Sequence, residues 1–392
     1  PWWERYQPVS HRLHSRSGSE QEFQAMVSRC RRAGVDVYAD VILNHMSAVN
    51  EGVGFGGSRF RQYEYPGLFN RNDFHNCGRN GNNDIKDFQD LFELQNCELL
   101  NLPDLATGAP AVQEKLASLL RKLLNLGVAG FRVDAAKHMP AADIGQIFRR
   151  VGRSFYAVHE LIVTPGEPVR SEPYLEFGDT NVFPYAYGLG AAFRAGDLSG
   201  LPELNSKMGV GSGEAVVFLE NHDLERRPAE ETLLSYVREP ALHRLGLVFL
   251  LTYPYGYPQL YSGYRFSSFD QGPPLARNGF SMPPGDGRCA APWTCAHREP
   301  GTLALVDFRN RTDAFFQATD IARPARGVLA YGRGNLGHVA INVSREPVSL
   351  SLKTRLQPGT HCNVLPEGGC ATVEKGGKMT LRLPAQSAFV TF

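Results

Sequence analysis

The run Gly130-Phe-Arg-Val-Asp-Ala-Ala-Lys-His138 constrains this chain most: it is a short apolar strand that ends in charge. Side chains of a strand alternate between faces, so Arg132 and Asp134, two residues apart, share one. A guanidinium beside a carboxylate keeps the acid ionised and aimed, which is what a carboxylate nucleophile requires. Two further strand-like runs also end in acids: Ser154-Phe-Tyr-Ala-Val-His-Glu160 and Ala215-Val-Val-Phe-Leu-Glu-Asn-His-Asp223. Helical spacing of apolar residues is expected over 20–33, stopping at Gly34, and over 111–126 and 141–151. Further strands are expected over 35–43 and 181–187. A helix is expected around 231–249, followed by a strand leading into Tyr253-Pro-Tyr-Gly-Tyr257. Strands alternating with helices argue for a parallel α/β architecture. Acids at the C-terminal ends of several strands favour a (β/α)8 TIM-type barrel over an open sheet.

Two stretches depart from this alternation. Over 45–108, Gly, Asn and aromatic residues dominate and periodicity fades, which marks an inserted functional subdomain rather than a loop. Beyond about residue 313, short alternating runs such as Gly337-His-Val-Ala-Ile-Asn342, Val348-Ser-Leu-Ser-Leu352 and Met379-Thr-Leu-Arg-Leu383 are split by Gly and Pro turns. They predict a separate antiparallel β domain. The expected division is therefore a barrel from 1–44 and 109–312, an insertion at 45–108, and a C-terminal domain at 313–392. A chain of 392 residues is long enough for this.

Charge excludes some partners. With 41 basic against 40 acidic residues and no basic run, nothing points to a nucleic acid. No window reaches the roughly 18 apolar residues of a membrane helix. The seven cysteines include the close pairs Cys77/Cys97, Cys289/Cys295 and Cys362/Cys370, none with the CxxC spacing of a zinc site. Three local disulfides with Cys30 left over is the economical reading, and implies a secreted protein; seven free thiols is the alternative. Asn310-Arg-Thr and Asn342-Val-Ser are glycosylation sequons.

Asp40-Val-Ile-Leu-Asn-His45, the Arg132–Asp134 run, the Glu160 strand and Phe218-Leu-Glu-Asn-His-Asp223 together resemble the four ordered signatures of α-amylases. The opening Pro1-Trp-Trp-Glu-Arg-Tyr-Gln-Pro-Val-Ser is similar to the animal-type members, and the resemblance covers essentially the whole chain. It implies a retaining endo-hydrolase of α-1,4-glucosidic bonds in starch and glycogen. By it, Asp134 is the nucleophile, Glu160 the general acid/base, and Asp223 the acid that stabilises the transition state. Nucleophile and acid are then expected about 5–5.5 Å apart, with their pKa values pushed apart by environment. The resemblance places Trp2, Trp3 and Tyr6 as sugar-stacking platforms. His45, His138 and His222 line the site, with Leu99, Leu102, Arg132, Lys137 and Ile162 along the substrate groove. Three histidines near acids would also suit zinc, but no HExxH-type spacing is present. A maltase-like or transferring enzyme, or a noncatalytic carbohydrate-binding relative, are the alternatives; loss of an acid would mark the latter, and none is lost.

The resemblance further implies calcium, held by the side chains of Asn44 and Asp104 and the backbone carbonyls of Gln95 and His138. Animal-type members often bind chloride. Arg132 and Asn221 match that site, but Gln259 stands where a second basic residue would be, so the anion site is expected to be weak or lost. The mobile glycine-rich loop after Asn-His-Asp is missing, since Leu224-Glu-Arg-Arg-Pro-Ala229 goes almost directly toward a helix. His159 replaces the Gln that relatives often carry beside the acid. Malto-oligosaccharides are the expected partners, and a monomer the expected state. The family's first two barrel strands, and a partner for Cys30, would precede the Trp-Trp segment. The chain is therefore expected to be an N-terminally incomplete fragment that folds poorly apart from the rest.

Overall fold

Ser19 starts the first helix: its hydroxyl accepts from the Glu22 N–H while the Glu22 carboxylate accepts from the Ser19 N–H. This capping box sets α1 at Glu20–Arg32, and Gly34, at φ +75°, turns the chain toward β1 (Tyr38–Ile42). The protein is seen in a computed structural model that describes residues 1–79, 81–163, 166–227, 233–283 and 289–392. The chain divides into two compact units, residues 1–181 with 270–283 and residues 182–269 with 284–392.

In the first unit β1 leads into the insertion. It contains a small hairpin of β2 (Glu51–Val53) and β3 (Arg59–Arg61) and a helix, α2 (Leu91–Asn96), capped by Asp90. The Cys77–Cys97 disulfide closes it. Regular structure resumes with α3 (Pro110–Asn125), whose Val112, Leu116, Leu120 and Leu123 form the buried stripe expected of an amphipathic helix. Then come β4 (Gly130–Asp134), α4 (Ala141–Val151), β5 (Tyr156–His159), the short α5 (Glu172–Leu175) and β6 (Asp179–Asn181). β1, β4, β5 and β6 pair in that order, all parallel, and the register sets Asp40 beside Arg132, Ile42 beside Asp134, and Val133 beside His159. Gly130 is needed for this approach: a Cβ there would lie 2.5 Å from the Tyr156 carbonyl oxygen. One apolar core, including Val41, Leu116, Phe131, Val133 and Ile144, packs the helices on the strands.

The second unit continues with α6 (Phe183–Ala195), β7 (Ala215–Val217), α7 (Pro240–Thr252), β8 (Tyr257–Pro258) and α8 (Pro300–Thr312). β7 and β8 are parallel. Two expectations need correction. Residues 183–187, read as strand, are the first turns of α6. The segment is apolar on nearly every side, so periodicity could not distinguish a buried helix from a strand, and Pro184 sits where a helix accepts proline. The helix expected from about 231 begins only at Pro240, which again occupies the first turn. Residues 231 and 232 lie outside the described residues.

The C-terminal strands are β9 (Thr319–Ala325), β10 (Val328–Gly332), β11 (His338–Asn342), β12 (Val348–Lys353), β13 (Gly359–Cys362), β14 (Cys370–Val373), β15 (Lys378–Leu383) and β16 (Ser387–Thr391). They form two antiparallel four-stranded sheets, β16-β11-β10-β9 and β12-β15-β14-β13, which share a core that includes Ala330, Ala340, Leu350, Met379 and Phe389. The Cys289–Cys295 and Cys362–Cys370 disulfides form, and Cys30 is free. Of the two sequons, Asn310 is exposed, whereas Asn342 is fully buried and its amide donates to the Glu346 and Pro384 carbonyls.

Arg333 holds this unit together without a carboxylate. It is 1% exposed, and its guanidinium donates to the carbonyls of Thr252, Thr312 and Phe315 at 2.7–2.9 Å. Thr252 and Thr312 end α7 and α8, so the cation satisfies orphan carbonyls at the negative ends of two helix dipoles. Arg333→Met is expected to destabilise the fold by about 3 kcal/mol, measured as a lower urea midpoint at unchanged slope.

Candidate active site

The strand register gathers three carboxylates around one cation. Arg132 Nη1 donates to Asp134 Oδ1 at 2.9 Å and to Asp40 Oδ1 at 2.6 Å, while Nη2 is ion-paired with Glu160 Oε1. Asp134 ends β4 and Glu160 follows β5, so both acids emerge at the carboxyl ends of neighbouring parallel strands. Both are buried, at 7% and 8% exposed. A second donor fixes Glu160: the Ala135 N–H lies 2.9 Å from Oε2. Ala135 adopts φ +49°, a left-handed conformation that costs a non-glycine residue on the order of 1 kcal/mol. That strain is what aims its N–H at the carboxylate.

Arg132 alone would hold Asp134 ionised, as the sequence suggests. The structure adds two opposing influences: burial, and the neighbouring Glu160 charge. Together they outweigh the guanidinium, and the Asp134 pKa is raised well above the ordinary carboxylate range. Two carboxylates that share one cation in a dry site resist carrying two charges at once, which favours one shared proton.

His45 and His138 flank these acids, and both feel the Glu160 charge. Burial lowers each to about 4, so both are neutral near pH 7, each ring carrying one N–H and one acceptor nitrogen. His138 Nδ1 lies 3.0 Å from the Leu94 carbonyl and His45 Nε2 lies 2.9 Å from the Tyr6 carbonyl. Trp2, Trp3 and Tyr6 share the short helix Trp2–Tyr6, and all three are partly exposed. The Tyr6 hydroxyl donates to Asp40 Oδ2 at 2.8 Å, which ties this aromatic segment to the acid cluster. Lys137 Nζ donates to the Ile162 carbonyl at 2.8 Å and to Glu167 Oε2 at 3.0 Å. Leu99 and Leu102 face each other across a tight turn in the insertion. Asp223, His222 and Asn221 lie in the second unit, after β7. Asp223 opens the turn Leu224–Arg226, and Asn221 Oδ1 accepts the Leu224 N–H at 2.8 Å. Gln259, also in that unit, lines a small cavity with Glu220 and His243.

The Asn44 side chain, the Asp104 carboxylate and the His138 carbonyl, three groups expected to hold calcium, lie together. The Asn44 amide lies 3.2 Å from Asp104 Oδ1 and 3.1 Å from the His138 carbonyl oxygen, and its oxygen is the atom that faces them. Turned over, the amide would donate to both. The His45 ring decides between these orientations. Its Nε2 meets a carbonyl and must carry the proton, so the neutral ring presents Nδ1 as an acceptor. The Asn44 nitrogen, 3.4 Å from Nδ1, is the group that fits there. Three oxygens then converge with no hydrogen between them, an arrangement suited to a hard cation. Among the described residues no group of three or more His, Cys, Asp or Glu side chains suits a metal. The Gln95 side chain donates to the Tyr174 hydroxyl and to the Met139 carbonyl.

Asp40 was not among the residues singled out from sequence, although it opens the Asp-Val-Ile-Leu-Asn-His45 run. Its register beside Arg132 is the signal that would have found it. Glu167 and His75 are further partners visible only in space; His75 Nδ1 lies 2.6 Å from Asp104 Oδ2.

A profile of the alpha amylase catalytic domain matches residues 10–154. An alpha-amylase of Tribolium castaneum is 35% identical over 408 residues, covering 96% of this chain and 80% of that protein. The chain belongs to the alpha-amylase family. An alpha-amylase of Streptomyces violaceus is 38% identical over 390 residues, covering 99% of this chain; the chain spans 65% of that relative's length. The crystal structure of wild-type alpha-amylase I from Eisenia fetida superposes with a TM-score of 0.93 at 30% identity, over all of this chain and 87% of the other. The family fold, a (β/α)8 barrel with an added antiparallel β domain, accounts for the parallel strands of both units and for the C-terminal sheets.

Proposed function

We propose that this amylase-family chain hydrolyses internal α-1,4-glucosidic bonds of starch and glycogen with retention of configuration. The observation that carries the reading is the pair of buried carboxylates, Asp134 and Glu160, held by one guanidinium at the ends of adjacent strands. In a retaining cleavage one carboxylate attacks the anomeric carbon while the other gives its proton to the leaving oxygen. A pair that carries one proton between two acids meets both needs. Asp134 is assigned the nucleophile's role on its place at the end of the β4 signature; in the reactive state the shared proton sits on Glu160 and Asp134 carries the charge. Glu160 is the acid, and later the base that takes a proton from water. Asp223 is assigned the third, transition-state-stabilising role on its Asn-His-Asp motif.

His138, whose Nδ1–H is held by the Leu94 carbonyl, offers Nε2 as an acceptor for a sugar hydroxyl, and His45 is assigned to the same subsite. Trp2, Trp3 and Tyr6 offer faces for pyranose stacking, with Leu99, Leu102, Lys137 and Ile162 along the groove; His222 is assigned a sugar-contacting role on its Asn-His-Asp motif. Calcium, held by Asn44, Asp104 and the His138 carbonyl with the Gln95 carbonyl in support, supplies a structural tie between the insertion and the strand ends. The three disulfides suit an extracellular protein. A 2-fluoro-glucosyl fluoride is expected to leave a covalent adduct on Asp134 in peptide mass spectra, and starch is expected to yield short oligosaccharides early. Binding of glucan with neither adduct nor products would defeat the reading.

Chloride is not required in this proposal. Arg132 is already matched by three carboxylates, and Gln259 brings no second cation. Turnover in chloride-free buffer is expected to equal turnover with chloride added; a steep rise on adding chloride would contradict it.

A further inference from the structure

The orientation of Trp3 is imposed from far along the chain. Its indole Nε1 donates to Asp270 Oδ1 at 2.8 Å, across 267 positions of sequence. The Trp2 backbone N–H donates to the Asp270 carbonyl at 3.2 Å. Residues 270–283 belong to the first compact unit, although the sequence on either side of them belongs to the second. This strap is closed on itself: the Ala276 N–H reaches the Phe280 carbonyl and the Met282 N–H reaches the Pro274 carbonyl, both at 2.8 Å. Gly279, at φ +81°, makes the turn between them. Its far end is also fastened to the N-terminal segment. The Ser281 N–H donates to the Arg16 carbonyl at 2.7 Å, Arg5 Nη2 donates to Ser281 Oγ at 2.6 Å, and Phe280 packs edge-on against Phe55 at 5.1 Å.

An indole has one polar atom, a donor on its edge. Fixing that edge to an anchored carboxylate sets the plane of the ring and leaves its face for contact. The bond is charge-assisted, about twice as strong as a neutral one, and it orders the ring before any sugar arrives, which lowers the entropic cost of binding.

We propose that Asp270 is a positioning residue that sets the Trp3 indole for glucan stacking, and that the strap 270–283 thereby governs how tightly longer glucan chains are held. This rests on the reading of Trp3 as a sugar platform. The test uses the full-length protein, the variants Asp270→Ala, Asp270→Asn and Trp3→Ala, and the double variant Asp270→Ala/Trp3→Ala. Maltoheptaose and a short aryl maltoside are the substrates. Asp270→Ala is expected to raise KM for maltoheptaose by roughly fivefold to tenfold, the equivalent of one lost hydrogen bond. The kcat should change far less, as should KM for the short substrate. Asp270→Asn, which keeps an acceptor, is expected to fall between wild type and Asp270→Ala. In the Trp3→Ala background, Asp270→Ala should add nothing. The near-UV circular dichroism of the tryptophans is expected to change in Asp270→Ala. An unchanged maltoheptaose KM in both Asp270 variants, or an Asp270→Ala effect that adds in full to that of Trp3→Ala, would overturn the proposal. Trp3→Ala with wild-type KM would instead remove the platform reading itself.

Discussion

Asp134→Asn is expected to lower kcat on soluble starch by about 10⁴-fold or more, because it removes the nucleophile of a double displacement, while malto-oligosaccharide binding survives. Asparagine keeps the shape of aspartate and an acceptor for Arg132, so the groove and its cation are retained. What is lost is the charge that bonds to the anomeric carbon. The same variant carries a second, independent expectation. Burial and Glu160 raise the Asp134 pKa above its unfolded value, so the folded state holds that proton more tightly than the unfolded chain does. Stability linked to this group is present in acid and is lost as pH rises through the raised pKa. The variant has no proton to lose there. Its thermal midpoint relative to wild type should therefore rise from acid to neutral pH while its activity stays minimal. Steady-state kinetics and melting curves across pH decide both. A variant with substantial turnover would exclude Asp134 as nucleophile. A relative midpoint that falls toward neutral pH would show that the Arg132 pairing outweighs the cost of burying the charge.

Much of the candidate site can be read from spacing because strands impose a period of two. Arg132 and Asp134 share a face, and the structure finds them bonded at 2.9 Å. The acid after β5 could be read because an apolar run stops at it. Asp40 could not, since its role depends on which strand lies beside β4, and sequence spacing carries no record of neighbours. The Ala135 donor escaped for a different reason: alanine gives no hint of a positive φ, and only the packed turn reveals it. Residues 183–187 failed as a strand because a segment buried on all sides has no polar face to set a period. The disulfides were readable since each joins cysteines close in sequence. Asp270, bonded to a residue 267 positions away, lay beyond any such reach.

Removing calcium is expected to lower the thermal midpoint by roughly 10 °C. An ion present at about a thousand times its dissociation constant adds about 4 kcal/mol to stability, and each kcal/mol shifts the midpoint of a domain this size by about 2–4 °C. The expectation rests on where the oxygens come from. Asn44 follows β1, Asp104 lies at the end of the insertion, and His138 closes the turn after the Asp134 strand. Only a cation gives these three acceptors a common partner, and Asp104 is 1% exposed, so water is a poor substitute. Burial pushes its pKa up to about 7 against the opposing pull of its hydrogen bond to His75. Because His138 sits four residues beyond Asp134, loss of the ion should loosen the acid pair together with the insertion, and activity should fall with stability. Melting curves with EGTA, then with calcium or magnesium restored, test this. Calcium should recover the midpoint. Magnesium should not, since it demands a smaller, near-octahedral shell. Asp104→Ala should melt at the lower temperature whether or not calcium is present. Identical midpoints with and without EGTA in the wild-type protein would show that the Asn44 amide faces Asp104 and His138 with its nitrogen, as a hydrogen-bond donor rather than as a ligand.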